Sequence, residues 1–266
     1  MNESNRALRR LEILDIEEKP VGYLDVRLSD EFIPRVVKPG QFVMVRVREN
    51  NYPLLPRPFA VVDVNRERGE FRLVIKIMGI ATSLMKSLRV GDSLYVTGPL
   101  GRGIELKDSG ISRVILLLRG VGSASATFLA RCAFEMEMEV YTFLSASTSK
   151  RLVCRDLLKR YSTELFIATD DGSEGYGGNA IELVEDFLSQ RDVDAVYTCG
   201  SRRFARYVER GDISGRFKGY VFLERSMACG VGFCHGCAVA KRNGKGYFLV
   251  CKDGPVFRVG EVMLDG

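Results

Sequence analysis

The sequence predicts a mixed β and α/β fold in three parts: an N-terminal antiparallel β-barrel, a central parallel-sheet domain of nucleotide-binding type, and a small C-terminal domain organised by metal. Three observations carry this. Up to about Tyr95 the apolar residues alternate in short runs broken by turn signals; from Val114 they form unbroken apolar strands separated by helical stretches; and near the C-terminus four cysteines stand in the order C-x4-C-x2-C-x13-C. The boundaries drawn from these textures are 1–106, 107–214 and 215–266.

In the first part the apolar residues come in short strand-like runs, such as 42–47 and 71–77, and Pro-Gly and Arg-Gly pairs mark the turns. Arg57-Pro58-Phe59-Ala60 follows a loop containing Pro and Asn and leads into a strand predicted over 61–64. A helical patch over 82–88 precedes a last strand over 93–97, and Gly98-Pro99-Leu100-Gly101 closes the barrel. In the second part, residues 114–118, 140–143, 165–168 and 195–198 are solid apolar runs with helical stretches between them. That pattern belongs to parallel strands covered on both faces. Ligands of such sheets bind beyond the carboxyl ends of the strands. Those ends carry Gly120-Val121-Gly122-Ser123, Asp170-Asp171-Gly172-Ser173 and Cys199-Gly200-Ser201.

Composition excludes several classes. With 266 residues, 46% hydrophobic and 27% charged, the chain is ordinary globular material. The apolar run 114–118 is far too short to cross a bilayer, so no membrane span is expected. The net charge of +5 is spread along the chain and leaves no nucleic-acid footprint. The opening segment has basic residues but no apolar stretch behind them, so the expected location is the cytoplasm. Cys132, Cys154 and Cys199 lie far apart in sequence, which argues against a disulfide framework and for small buried hydrophobes.

The cysteine run Cys229, Cys234, Cys237 and Cys251 has the plant-type spacing for a two-iron two-sulfur (2Fe-2S) cluster held by four thiolates. Ala228, Gly230, Gly232, Gly236 and Ala238 let the loop fold tightly and turn backbone N–H groups toward sulfur. A structural zinc site is the competing reading; zinc usually takes paired C-x2-C hairpins, and only one such pair exists here. A Rieske centre needs two histidines on one iron, and His235 is the single histidine of the chain, expected on a solvent-facing loop.

Two further motifs are weak singly. Arg57, stiffened by Pro58 at the mouth of a barrel, suits bidentate pairing with a pyrophosphate, and equally suits a plain surface turn. Gly79-Ile80-Ala81-Thr82 places a hydroxyl at a helix start, where free N–H groups attract phosphate or where Thr82 merely caps the helix. In their order along the chain, these motifs, the Gly-Pro-Leu-Gly exit, the parallel domain and the cysteine run resemble the ferredoxin reductase superfamily. More narrowly, 223–237 (Leu-Glu-Arg-Ser-Met-Ala-Cys-Gly-Val-Gly-Phe-Cys-His-Gly-Cys) and 251–257 (Cys-Lys-Asp-Gly-Pro-Val-Phe) resemble the electron transfer subunits of the two-subunit, NAD-linked dihydroorotate dehydrogenases.

The resemblance implies that Arg57, Pro58, Phe59, Ala60, Val74, Ile75, Lys76, Ala81 and Thr82 hold FAD and that Cys229, Cys234, Cys237 and Cys251 ligate the cluster. It implies a partner: a separate FMN-containing catalytic subunit that oxidises dihydroorotate in a heterotetramer. Electrons would pass through the iron-sulfur centre to FAD and on to NAD, and this chain would hold no pyrimidine site and no catalytic acid or base. Three departures touch the hydride side. Arg119-Gly120-Val121-Gly122-Ser123-Ala124-Ser125 stands where the family carries Gly-Gly-x-Gly followed by Ala-Pro, so Arg119 would either grip a dinucleotide phosphate or fill its place. Ala60 replaces a serine, and Ser201 replaces the proline of a Cys-Gly-Pro turn. FAD and the cluster are therefore expected to be retained, with direct NAD exchange weakened. Competing readings are a reductase subunit of another complex (hydrogenase, sulfite reductase or ferredoxin-linked) and a zinc-stabilised binding module without a redox role.

Overall fold

The computed structural model describes residues 7–50, 52–107 and 109–264. Two compact units result. One combines the chain up to Gly103 with Glu224–Ala238 and Leu249–Pro255; the other combines Ile104–Leu223, Val239–Phe248 and the chain from Val256.

The first unit is a seven-stranded antiparallel sheet. Its strands are β1 (Leu8–Lys19), β2 (Tyr23–Ser29), β3 (Phe42–Arg46), β4 (Arg57–Ala60), β5 (Asp63–Asn65), β6 (Glu70–Lys76) and β7 (Ser93–Leu100), in the order β4-β3-β7-β1-β2-β6-β5. The end strand β4 comes back against β6, which curls the sheet into a barrel. Along β6 and β7 burial alternates, so Phe71, Leu73, Ile75, Leu94 and Val96 point into the core while their neighbours face outward. Two short helices, α1 (Ile33–Val36) and α2 (Ile80–Met85), belong to this unit, and α2 drives Met85 into the core.

In the second unit the strands β8 (Arg113–Arg119), β9 (Glu139–Ala146), β10 (Glu164–Thr169), β11 (Tyr176–Gly177), β12 (Ala195–Cys199) and β13 (Lys218–Phe222) run parallel. Helices α3 (Ser123–Glu135), α4 (Arg155–Arg160), α5 (Ala180–Gln190) and α6 (Arg202–Ile213) connect them. The tail adds a small hairpin, β14 (Ala238–Ala240) with β15 (Tyr247–Leu249), then the short helix α7 (Val250–Asp253) and β16 (Val256–Arg258), which pairs antiparallel with β13. The order β11-β10-β9-β8-β12-β13-β16 reverses direction between β8 and β12, and that reversal marks the ligand crevice of open parallel sheets. Every residue from Val114 to Leu118 is at most 1% exposed, as a strand covered on both faces must be. Phe143 and Phe166 stack at 4.5 Å, and Phe187 of α5 meets both edge-on.

The structure departs from the sequence reading in three places. Arg57–Ala60 is itself strand β4, paired with β3, rather than a loop before a strand over 61–64; Val61 and Val62 form the crossing to β5. The helix spans Ile80–Met85 rather than 82–88, because extended Gly79 starts it. The stretch 215–266 does not form a compact body of its own. A tail of this length cannot bury a separate core. Its strands β13 and β16 complete the parallel sheet, and its cysteine-bearing segments group with the barrel. No helix among the described residues is long and apolar enough to cross a membrane.

The turns leaving β8 and β12 touch backbone to backbone. A Cβ on Gly200, whose φ is +86°, would sit 2.2 Å from the Arg119 carbonyl oxygen, and one on Gly122 would lie 2.6 Å from the Gly200 backbone. Neither obstacle is a side chain that can swing aside. Gly200→Ala should therefore destabilise this unit by about 2–4 kcal/mol, read by chemical denaturation followed with far-UV circular dichroism.

Candidate functional site

All four cysteines of the run fall in the barrel unit. Cys237 and Cys251 form one pair, both buried, with sulfurs 3.2 Å apart. That is near the roughly 3.8 Å edge that two thiolates span on one tetrahedral metal with bonds of about 2.3 Å. Cys229 and Cys234 form the other pair, and the Cys234 N–H donates to the Cys229 sulfur at 3.4 Å. The Cys251 N–H donates likewise to the Cys237 sulfur, also at 3.4 Å. Among the described residues no three metal-ligating side chains converge on a single ion. Two pairs bridged by backbone donors suit two metals better than one closed knot.

The pairs differ in acidity. Burial raises Cys229, but the backbone N–H groups of Cys234 and Val231, the Cys234 side chain and the Phe233 N–H outweigh it and draw the thiol down to about 7. Cys251 moves the other way: burial, then hydrogen bonding and charge at Cys237, push it up to about 12. Metal binding to this buried pair must therefore displace protons.

The loop is seated by its small residues. Gly230, at φ +70°, lies so close to β3 and β7 that a Cβ would stand 2.5 Å from Met44 Cγ and 3.1 Å from Leu100 Cδ1. The short helix α7 carries Cys251, and the Val250 N–H donates to the Cys237 carbonyl at 3.3 Å. His235 is exposed, as expected, at φ +59°.

The residues singled out for FAD also gather on the barrel. Arg57, Pro58, Phe59 and Ala60 make up β4, Val74, Ile75 and Lys76 end β6, and Ala81 and Thr82 lie in α2. The Arg57 Nη1 donates to the Leu55 and Pro56 carbonyls at 2.6 and 3.3 Å, which fixes the side chain beside its own loop. Strand β5 pairs with β6 from Glu70 to Arg72, and among the described residues the ladder given for 73–76 is with β2, on one edge. Ile75 is fully buried, and only its backbone can serve a ligand there. The Thr82 hydroxyl accepts from the Met78 and Gly79 N–H groups at 2.9 and 3.1 Å and donates to the Gly79 carbonyl at 3.0 Å. It shapes the helix start rather than standing open.

At the carboxyl end of the parallel sheet the sequence departures acquire structural roles. Ser201 caps α6, its hydroxyl accepting from the Phe204 N–H at 3.3 Å. Ser123 donates to the Gly120 and Val153 carbonyls at 2.8 and 2.9 Å. Arg119 forms a two-pronged ion pair with Asp170, at 3.1 Å from Nη1 and 2.5 Å from Nη2. The sequence named both residues but carried no signal that they meet, because 50 residues and a whole strand separate them.

Solved structures share this fold. A chain described in a study of NADH-dependent reduced ferredoxin-NADP oxidoreductase superposes with a TM-score of 0.85 at 28% identity, covering 96% of this chain and 90% of that one. The ferredoxin reductase of carbazole 1,9a-dioxygenase aligns with a TM-score of 0.64 at 18% identity, covering 80% and 68%, and shares the fold alone. Residues 23–103 match the oxidoreductase FAD-binding domain, and residues 224–263 match the iron-sulfur cluster binding domain of dihydroorotate dehydrogenase B. Fold and cysteine tail together define an electron-transfer flavoprotein of the ferredoxin reductase superfamily. The electron transfer subunit of dihydroorotate dehydrogenase B (NAD(+)) from Desulforamulus reducens is 34% identical over 234 residues, 87% of this chain and 88% of that protein. Its counterpart from Streptococcus pneumoniae is 31% identical over 259 residues, 97% and 99% of the two chains. The chain belongs to the family of dihydroorotate dehydrogenase B electron transfer subunits.

The contact under Gly230 provides a direct test. Gly230→Ala should lift the loop from Met44 and leave the cysteines less well held. The expected result is a metal centre that bleaches several-fold faster in air or chelator, followed by visible absorption, with the barrel's far-UV spectrum unchanged.

Proposed function

We propose that this chain is the electron transfer subunit of a dihydroorotate dehydrogenase, holding FAD on its barrel and a 2Fe-2S cluster in its cysteine loop. It would relay electrons from an FMN-containing catalytic subunit to NAD or another acceptor. The observation that carries the reading is the arrangement of Cys229 with Cys234 and Cys237 with Cys251 as two pairs in the unit that also gathers the flavin residues. A flavin exchanges electrons as a hydride or singly and the cluster only singly, so the two together join a two-electron donor to a one-electron path.

The residues fit these groups on their own chemistry. Two thiol pairs, each spanned by an N–H directed at sulfur, suit two irons, and such N–H donors stabilise added negative charge when the centre is reduced. Residues 73–76 at the end of β6, beyond the reach of β5, would offer backbone donors and acceptors to the polar rim of an isoalloxazine, and β4 would supply Arg57 for the pyrophosphate. Pro58, Phe59 and Ala60, all half-buried, would line the approach, with Val74 and Lys76 facing outward. Ala81 and Thr82 would act by fixing the backbone at 78–79.

The catalytic subunit would dock where electrons enter. Phe233, between two cluster ligands, is 87% exposed, and an aromatic side chain so placed favours burial against a partner. The heterotetramer, the cytoplasmic location and a dihydroorotate site confined to the partner follow from the same reading. A second reading keeps the machinery but changes the complex to a ferredoxin-linked one, on the strength of the 0.85 TM-score with the ferredoxin-NADP oxidoreductase chain. Dihydroorotate bleaching the flavin and cluster of the co-purified complex would favour the first, and its failure the second.

Anaerobic material should carry roughly two irons and two labile sulfides per chain, with absorption that bleaches on reduction. Cys251→Ser should lose the iron-sulfur bands and keep the flavin band. One zinc per chain and no colour would sink the proposal. Arg57→Ala should raise the dissociation constant for FAD about tenfold, measured by flavin fluorescence on dilution.

A further inference from the structure

The carboxyl end of the parallel sheet holds a feature that the redox machinery does not use. Arg119 is the last residue of β8 and Asp170 directly follows β10, and β9 lies between those strands. The ion pair therefore reaches across two strand spacings, about 9.5 Å, over the tip of β9. Its guanidinium crosses above Ser145, the β9 residue in register with Arg119, whose hydroxyl lies 3.5 Å from Nη1. The bidentate geometry uses both carboxylate oxygens of Asp170, and the side chains are only 26% and 46% exposed.

In open parallel sheets a dinucleotide lays its pyrophosphate over the turn after the first strand. In this chain that turn is Gly120–Gly122, leading into the 13-residue helix α3. Arg119 leads into it, and Asp170, just past β10, holds the Arg119 guanidinium in place. We propose that the Arg119–Asp170 pair is an internal latch over the nucleotide face, which a nicotinamide dinucleotide must open before it binds, so that this chain uses such nucleotides weakly. The inference rests on the functional reading above and assigns these two residues as determinants of acceptor choice.

The charges support a latch over a clamp. Arg119 reaches its position already neutralised by a carboxylate, so it presents little net charge to a phosphate. Hydrogen bonding from Arg119 holds the Asp170 carboxyl below its ordinary range, with burial opposing and the charges of Arg119 and Arg203 assisting, and the pair stays ionised at neutral pH. The neighbouring Asp171 is bonded to the Ser173 hydroxyl at 2.6 Å and the Ser173 N–H at 3.0 Å, which leaves Asp170 to Arg119.

The test is isothermal titration of the FAD- and cluster-loaded protein with NAD+ and with ADP-ribose, for the native chain and for Arg119→Gln, Arg119→Gly and Asp170→Asn. Breaking the latch from either side should lower the dissociation constant about five- to tenfold, the scale of a partly exposed bidentate pair. Rapid flavin bleaching by NADH should appear in the same variants. Weaker binding in either Arg119 variant would make Arg119 a phosphate clamp and overturn the proposal; so would weaker binding in Asp170→Asn, or no change in any of them. Each preparation is first checked for flavin and iron-sulfur absorption. Absence of both bands would sink the functional reading itself, whereas normal bands with unchanged or weaker binding would sink only the latch.

Discussion

The rest of the structure depends on bringing four thiols into two adjacent pairs. Buried sulfurs 3.2 Å apart, as in Cys237 and Cys251, repel once both ionise, so they can be thiolates together only around bound metal. The chain satisfies this by taking three ligands from one tight loop and the fourth from a helix 13 residues further on. Both segments need a rigid bed, and β3 and β7 provide it through Met44 and Leu100 under Gly230. The intervening residues Val239–Phe248 and those from Val256 group instead with the parallel-sheet unit. A tail without a core of its own is held by the elements it completes and by what its thiols bind.

The two sheets offer ligands different things. An antiparallel sheet exposes one face and, where a neighbouring strand is short, a strip of backbone; the β5 ladder reaches no further than Arg72, short of residues 73–76. A parallel sheet buried on both faces offers only the loops at its strand ends, so its chemistry is concentrated at Arg119, Asp170 and Gly200. A flavin rim needing backbone hydrogen bonds suits the first surface, and a dinucleotide laid over turns suits the second.

This division lets one surface change while the other stays. The cysteine run keeps the spacing on which the resemblance rests; two of the three departures lie after β8 and β12, and the third, Ala60, lies in β4. After β8 and β12 the structure gives each a local purpose: Ser201 caps α6, Ser123 ties the turn after β8 to Val153, and Arg119 joins β8 to β10. The glycines that remain, Gly122 and Gly200, hold two turns in backbone contact, a packing requirement that persists whatever ligand binds.

The sequence by itself determined whatever depends on period and spacing. Short apolar runs marked β3 and β6, unbroken apolar runs marked β8, β9, β10 and β12, and the cysteine intervals named the four candidate ligands, because strand pleat and ligand bite are local quantities. Boundaries resting on weak local preferences were less legible: Arg57–Ala60 pairs with β3 although two prolines surround Arg57, and the helix after Gly79 ends three residues early. Only the tertiary structure decided which thiols pair, that the tail divides between two units, that Thr82 bonds its own helix start, and that Arg119 meets Asp170 across β9. Those are contacts between residues distant in sequence, chosen by sheet order and packing, and no pattern along the chain encodes them.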